Sequence, residues 1–473
     1  MIILAYWKQL NGIQQPIAIR QFTGIDKQEA FSIADGAATN LKNLTSSSYP
    51  ALTVRPGFTN LGASLAAAVV GLGVWKDIEL HAVANGNWVK WTGATWSAAL
   101  ASGLSTSARW SFCNFQGNFA QIDLLGINGV VAKKYDGATV AALANVPAGG
   151  NYIDAHDNRV YVAVASRVWA SGFRNAENWT TGDLDTDAWW GEVETPDGRD
   201  IIGMKAGPGH ITVFKPYHTF ELFGTGSLNY RLQPVSDKIG CVSNASAIMV
   251  GGVMYWLSNR GIEKYAGGVA PKNDWSFPVQ YYADNINASN KSKACAGTDG
   301  KRLYMALPLL TATEPSHVIE YDPRYGTFYV WELPHYPRLF AYMAESWYNG
   351  DSAGQVHLMG GTTDAGTAIT WESVSKPFGG GTLAQKQDWY DMWLVCDLPT
   401  GSTLNVYLSK LAEGDTDWVL VKAMTVNADI QSARVIIPVN TVANANWVRV
   451  KFSGTGSCTI YEWDRQMRLL PYV

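Results

Sequence analysis

The chain reads as an all-β protein: a β-propeller of about seven blades, with an N-terminal arm and a C-terminal β-sandwich. Three observations carry that expectation. The 473 residues include 20 Trp, 22 Tyr and 46 Gly, and only 16% are charged, a mix in which aromatics fill a pleated sheet and glycines make its turns. Short runs of β-branched and aromatic residues, bounded by Gly, Pro, Asn and Asp, recur through the middle of the chain. A break in composition, KPFGGG at 376–381, then separates these runs from a last stretch of alternating strands.

The clearest copy of the repeat is 298–333, TDGKRLYMALPLLTATEPSHVIEYDPRYGTFYVWEL. Asp299-Gly300 makes a turn, 301–307 a strand, 317–321 a second strand, Asp322 to Gly326 another turn, and 327–333 an aromatic strand. Similar cassettes surround Asn85-Gly86, Gln116-Gly117, Asp157-Asn158, Pro208-Gly209 and Gly251-Gly252, with a weaker one at 339–373. Their turns recur roughly every 30 to 55 residues, which brackets the period of a propeller blade. A blade has two apolar faces, and a closed ring covers both. Two unrelated β-sandwiches would also repeat strands at short spacing; the constant internal order of the cassette favours the propeller.

The expected organisation is an arm over 1–60, the propeller over 61–375 and the sandwich over 376–473. The arm holds a strand-like run at 17–22, a Thr-Ser-Ser-Ser run at 45–48 and a turn at Pro56-Gly57. Arg55 reads as a solvated or locally paired cation. Beyond the break, 389–396, 404–409, 418–422, 433–438, 447–452 and 459–463 read as strands. In 447–452 the alternation puts Arg449 and Lys451 on a wet face and Val448, Val450 and Phe452 on a buried one.

Composition and spacing exclude several function classes. A formal charge of -4 lacks the basic excess of a protein that binds nucleic acid freely. Cys113, Cys241, Cys295, Cys396 and Cys458 are dispersed, which implies buried small hydrophobes in a reducing compartment and neither a disulfide framework nor a zinc site. The start, MIILAYWKQL, lacks the basic region of a secretion signal, and no apolar run reaches the length of a membrane span. The glycosylation-type sequons at Asn43, Asn178, Asn244, Asn287 and Asn290 are then chance matches.

Candidate chemistry concentrates at 183–200. Asp183, Asp185, Asp187 and Glu194 occupy the first, third, fifth and twelfth places of a calcium loop, but Ala188 stands where that loop needs glycine. Glu192, Glu194, Asp197 and Asp200 offer carboxylates for a glycosidase pair, and Trp189-Trp190 a surface on which a sugar could stack. A solvated acidic loop and ordinary blade packing account for the same residues. His81, His156, His210, His218, His317, His335 and His357 show no metal-ligand spacing; the first three sit near strand–turn junctions, where they serve as hydrogen-bonding groups. No catalytic, cofactor-binding or metal residue is assigned, and an enzyme is not expected.

The segment from Asn43 to Gly57, ending Tyr-Pro-Ala-Leu-Thr-Val-Arg-Pro-Gly, leads into cassettes that contain Lys-Tyr-Asp-Gly (134–137) and Ile-Glu-Tyr-Asp-Pro (319–323). Over about 17–375 this layout resembles virion proteins of tailed bacteriophages, in particular the tail nozzle, or packaged-DNA stabilisation, proteins of short-tailed phages. The resemblance implies a non-enzymatic, cofactor-free ring of identical subunits, most simply a hexamer. It implies a place in the virion tail below the portal and adaptor, contact with other tail proteins, and passage of DNA without sequence specificity or membrane contact. A carbohydrate-binding or glycan-hydrolysing propeller, another tail or baseplate protein, and a cytosolic interaction scaffold stay open as alternatives.

Overall fold

The computed structural model describes residues 16–470 except 269, 381, 440 and 441. The chain start read above for a secretion signal, and Gly381 of the glycine break, lie outside the described residues. Among those described, regular structure is almost entirely β-strand, and the single α-helix is the five-residue Gln280–Asp284. No described helix is long and apolar enough to cross a membrane.

Antiparallel meanders follow one another from residue 69 to residue 359. Their first strands are Val69–Trp75, Ser111–Phe115, Tyr152–His156, Gly203–Gly207, Ile248–Val250, Cys295–Thr298 and Pro337–Met343. Each packs against its successor, Gly203–Gly207 doing so through the 3-10 turn Asn244–Ser246, and Pro337–Met343 packs back against Val69–Trp75. The row returns on itself, and the architecture is a β-propeller. Second strands lie between neighbouring meanders, so His210–Phe214 and Leu303–Leu307 are buried along their whole length. Each large apolar side chain so covered contributes about 1.5–3 kcal/mol.

The sequence turns fall where expected, with one difference of register. Asp157-Asn158, Pro208-Gly209, Gly251-Gly252 and Asp299-Gly300 join first strands to second strands, whereas Asn85-Gly86 joins second to third. The first turn of that meander is Lys76-Asp77, with φ of 52° and 61°. Paired positive φ values give a tight turn whose twist matches the strands it joins, but Lys-Asp carries none of the Gly or Asn signal by which such turns are found.

The arm is threaded through the molecule. β1 (Ile17–Ile19) pairs with Thr459–Leu469. β2 (Gly24–Ile25) lies parallel between Thr327–Trp331 and β3 (Ala37–Lys42), and β3 pairs with Thr370–Ser375. β4 (Leu44–Thr45) pairs with β5 (Leu52–Val54), which joins Thr459–Leu469. β6 (Phe58–Asn60) adds to the edge of Val356–Met359. The backbone approach is close enough that a Cβ at Gly57 would stand 2.0 Å from the Thr363 carbonyl oxygen, so only glycine fits there.

The six strands expected near the C-terminus are present as Gln387–Leu398, Thr403–Ser409, Val419–Thr425, Ile430–Ile437, Arg449–Thr455 and Thr459–Leu469. They fall into two sheets. One runs Ile430–Ile437, Gln387–Leu398, Thr459–Leu469, β5, β4. The other is part of a ten-stranded sheet that begins in the propeller at Cys295–Thr298, passes through β2, β3 and Thr370–Ser375, and ends at Val419–Thr425. Met392 and Leu394 of the first sheet, Val406 and Val450 of the second, and Ile319 and Phe328 of the propeller share one apolar cluster.

The expected boundaries at 60 and 376 therefore fall inside continuous sheets. Composition changes at the glycine break, but backbone pairing does not. Arg449 also departs from its expected wet face: it is 5% exposed, donates from Nε to the Leu411 carbonyl at 2.9 Å, and lies 4.7 Å from the Trp418 ring. The 411–418 loop folds over that face and covers it.

A 380–473 fragment lacks β1, β5 and Thr370–Ser375, the strands that cover one side of Thr459–Leu469 and Arg449–Thr455. We expect it to show no cooperative melt by circular dichroism. A fragment that melts cooperatively near the Tm of the whole chain would refute the shared-sheet account.

Candidate functional site

Two places gather polar side chains in this largely apolar scaffold: the junction built by residues 43–57, and the cavity on the propeller axis.

At the junction, Asn43 stands at φ 58° and is buried. Its Oδ1 accepts from Arg55 Nε at 2.9 Å and from the Glu332 backbone N–H at 2.8 Å, while its Nδ2 donates to the Thr370 carbonyl at 2.8 Å. One amide thus joins the arm, the propeller and the start of the C-terminal sheets. Arg55 is 2% exposed and forks onto Asp364, Nη1 to Oδ1 at 2.8 Å and Nη2 to Oδ2 at 2.6 Å. It is a buried cation paired across 309 residues of sequence, not the solvated or locally paired one expected. The local sequence could not reveal this, because Asp364 lies in the two-residue strand Thr363–Asp364, which carries no pattern of its own.

The Thr-Ser-Ser-Ser run meets the Ile-Glu-Tyr-Asp-Pro motif. Glu320 accepts from Thr45 Oγ1 at 2.9 Å and from the Ser46 backbone N–H at 3.1 Å. The Ser46 hydroxyl lies 2.7 Å from Glu320 and 2.8 Å from Asp322, and it has one proton to give. Burial pushes the Glu320 carboxyl up. Burial also acts upward on Asp322, but hydrogen bonds from Arg324 and Ser46 outweigh it and hold that carboxyl below its ordinary range. Arg302 faces both carboxylates, at 3.9 Å from Glu320 and 3.6 Å from Asp322.

The other motif, Lys-Tyr-Asp-Gly, also builds an interface. The Tyr135 hydroxyl lies 2.9 Å from Glu79 of the preceding meander and accepts from Lys90 at 2.8 Å. Tyr265 repeats the arrangement, its hydroxyl 2.6 Å from Glu221, which faces His210 at 3.3 Å. In the cassette that opens the propeller, His81 is buried and accepts at Nδ1 from Trp88 Nε1 at 3.0 Å. His335 and His357 stack at 3.8 Å, and His357 bridges Asp351 at 3.1 Å and Asn60 of β6 at 3.0 Å.

The acidic stretch does not converge. Among the described residues no group of three or more His, Cys, Asp or Glu is placed to hold a metal ion. The loop closes instead on the guanidinium of Arg159, fully buried, which donates to the carbonyls of Asp187 at 2.7 Å, Thr225 at 2.9 Å and Asp185. Asp187 turns its carboxylate to the Leu184 backbone N–H at 3.0 Å, and Asp183, Asp185 and Glu194 are exposed. Glu192 is held by Ser166 and Arg167, and Asp197 by Thr195; Asp200 is exposed. Trp189 packs on Tyr230 at 4.6 Å, while Trp190 is exposed on an edge strand beneath Arg167 at 4.5 Å. All five cysteines are buried and unpaired.

The axial cavity has a volume of about 530 Å³, within the range of small-molecule sites. First strands supply Leu72, Phe112, Tyr152 and Phe340, and residues just before them supply Arg109, Trp110 and Asn151. Arg109 reaches across the axis, donating to the carbonyls of Ser292 at 3.1 Å and Lys293 at 2.7 Å. Phe112 is wedged between neighbouring backbones: a Cβ on Gly73 would stand 2.8 Å from its ring and one on Gly126 2.6 Å. Arg109 thus bridges the axis and Phe112 packs one wall of the cavity. Sequence reasoning missed Arg109, which carries no motif and acquires its place only when the ring closes.

No protein family and no curated protein matches the chain. Solved structures similar to it include the WD40 β-propeller domain of Doa1, at 12% identity over 64% of this chain and 97% of that one, TM-score 0.44. Virginiamycin B lyase from Staphylococcus aureus is similar at 7% identity over 64% of this chain and 98% of its own, TM-score 0.44. BamB from Moraxella catarrhalis is similar at 11% identity over 74% and 97%, TM-score 0.42. At these values the likenesses say nothing of the activity of this chain.

Two outcomes follow from the geometry. Arg55→Met leaves the partly buried Asp364 carboxylate without its cation and is expected to cost about 3 kcal/mol in denaturant unfolding. Combining it with Asp364→Leu recovers part of that loss, and a double variant as unstable as the sum of the singles would remove the pairing from the account. Burial lowers the His81 imidazole to about 4, so below the ordinary value near 6.5 the unfolded chain takes up a proton that the folded one refuses. Stability then falls as pH drops from about 6.5 to about 4, by about 1.4 kcal/mol per pH unit for this one group. Melts of wild type and His81→Gln over that range should differ in slope by one proton.

Proposed function

We propose that the protein is a structural, non-enzymatic component of a bacteriophage tail, a nozzle-like ring of identical subunits that retains the genome and conducts it during ejection. In this reading the propeller has seven blades and the last is completed by β6. The two C-terminal sheets form a sandwich fused to the propeller by the arm.

The observation that supports it most is where the motif residues lie. Asn43 to Gly57 and Ile-Glu-Tyr-Asp-Pro carry the resemblance to tail nozzle proteins, and they are the residues that fasten arm, propeller and C-terminal sheets together. A part that bears load needs its bodies joined by sheet hydrogen bonds and buried ion pairs rather than by a flexible linker. A cyclic ring needs two different complementary patches on each subunit. The exposed apolar residues of the C-terminal sheets, Val419, Leu420 and Ile436 among them, are candidates for one such patch. Net charge of -4 fits a DNA path that does not grip phosphates.

Purified particles should contain the protein in a ring of about six copies, the number the resemblance implies for a cyclic assembly. Particles assembled without it should fail to join head to tail or should leak DNA. A soluble monomer absent from virions and turning over a glycan would overturn the proposal.

A further inference from the structure

A second cavity, between the meanders that begin at Gly203–Gly207 and Ile248–Val250, presents two acceptors side by side with no donor for either. We infer that it binds the primary ammonium group of a small organic amine whose apolar body fills the remaining space. This inference stands apart from the assembly proposed above.

The cavity has a volume of about 340 Å³, within the range of small-molecule sites. His210, Glu221 and Tyr265 line it and are 8%, 7% and 4% exposed. The Tyr265 hydroxyl donates to Glu221 Oε1 at 2.6 Å. His210 Nδ1 stands 3.1 Å from the Pro208 carbonyl oxygen. A carbonyl only accepts, so Nδ1 carries the proton, and the neutral ring turns its Nε2 lone pair toward Glu221 Oε1 at 3.3 Å. Two acceptors so placed call for a donor shared between them. Glu221 Oε2 is the third acceptor of the group. Among the described residues no hydrogen bond reaches Oε2 or His210 Nε2, and neither is among the enclosed polar atoms that lack a partner, so both meet open space.

Charge and donor count select the class of ligand. Glu221 is the one carboxylate that lines the cavity, and no Lys or Arg lines it. Among the described residues His210 alone stands within ion-pair distance of Glu221. Arg231, on the adjacent strand, gives Nε and Nη2 to the Gln233 amide oxygen, both at 3.0 Å. A primary ammonium brings one positive charge and three N–H donors, enough to meet Oε2 and Nε2 together. Phe223, Met249 and Met254 complete the wall, and aromatic and thioether faces suit the methylenes beside an ammonium. Tyr265 and Pro208 hold the carboxylate and the imidazole in place beforehand, so little ordering is needed on binding. Were His210 to take up the missing proton itself, imidazolium and carboxylate would neutralise each other and leave nothing for an amine.

Benzylamine, benzyltrimethylammonium and benzyl alcohol, titrated into the full-length protein by calorimetry, separate these cases. At about pH 8 an ordinary imidazole is neutral and the amine is charged. We expect saturable binding of benzylamine, weakened by added salt. The quaternary ion, with charge but no N–H, should bind at least about tenfold more weakly, and benzyl alcohol not at all. Glu221→Gln keeps the shape of the site and should weaken benzylamine at least about tenfold while the melt stays cooperative. The comparison of ligands needs no variant, so it decides the matter even if Glu221→Gln does not fold. The inference fails if benzylamine does not bind saturably, if either of the other two binds as well as it does, or if Glu221→Gln binds like wild type.

Discussion

The buried Arg55 guanidinium meets a counter-charge in one place only. Asp364 takes both of its terminal nitrogens and Asn43 takes the third. Desolvating a charge costs several kcal/mol, so the pair adds little net stability over an apolar substitute. What it does is forbid alternatives. An arm shifted by one residue would flip its side chains to the other face and carry Arg55 away from Asp364. The short arm strands, some of only two residues, could not hold a register by backbone hydrogen bonds alone. The ion pair supplies that specificity, and the course of the ten-stranded sheet depends on it.

The same logic explains why the repeats are degenerate. Each interface between meanders must satisfy the polar groups it buries, but the fold does not dictate how. Tyr135 with Glu79 and Lys90 is one solution, Tyr265 with Glu221 and His210 is a second, and the hydroxyl pair of Tyr161 and Tyr230 at 3.0 Å is a third. Each places a phenol where its ring packs and its hydroxyl finds a partner. Apolar periodicity is shared by all the meanders, whereas the polar inlay is local to each interface. A repeat whose chemistry varies while its geometry holds leaves only a faint sequence period.

That division also marks how far the sequence could be read. The meanders are local: a strand, a turn and the next strand lie within a dozen residues, and Asp299-Gly300 or Pro208-Gly209 announces each turn. The six C-terminal strands were legible for the same reason. The arm was not, because β2 pairs parallel with strands on both sides and β3 meets Thr370–Ser375 across more than three hundred residues. Two residues of strand carry no period to detect. The acidic stretch misled in the opposite way. Its spacing imitates a calcium loop, but its backbone carbonyls close on Arg159, a cation supplied by the chain itself from a neighbouring strand. Arg449 imitated a solvent-facing residue until the 411–418 loop covered it. In each case a strong local pattern was completed by a distant part of the chain.

The threading of the arm has a mechanical consequence. Force applied to the C-terminal sheets does not reach the propeller through the glycine break, since Thr370–Ser375, β3 and β2 carry it directly to Thr327–Trp331 by backbone hydrogen bonds. A pull along these strands loads those bonds together in shear, whereas a linker would let the two bodies swing. The Glu320, Asp322 and Ser46 trio and the Arg55 pair flank this path, so sliding one strand against the next would break buried polar contacts at once. Meanwhile the propeller axis, crossed by Arg109 and packed by Phe112, resists collapse from within. Rigidity at the junction and rigidity at the axis have the same origin: each is a place where elements far apart in sequence must meet, and where polar groups buried by that meeting have few other partners.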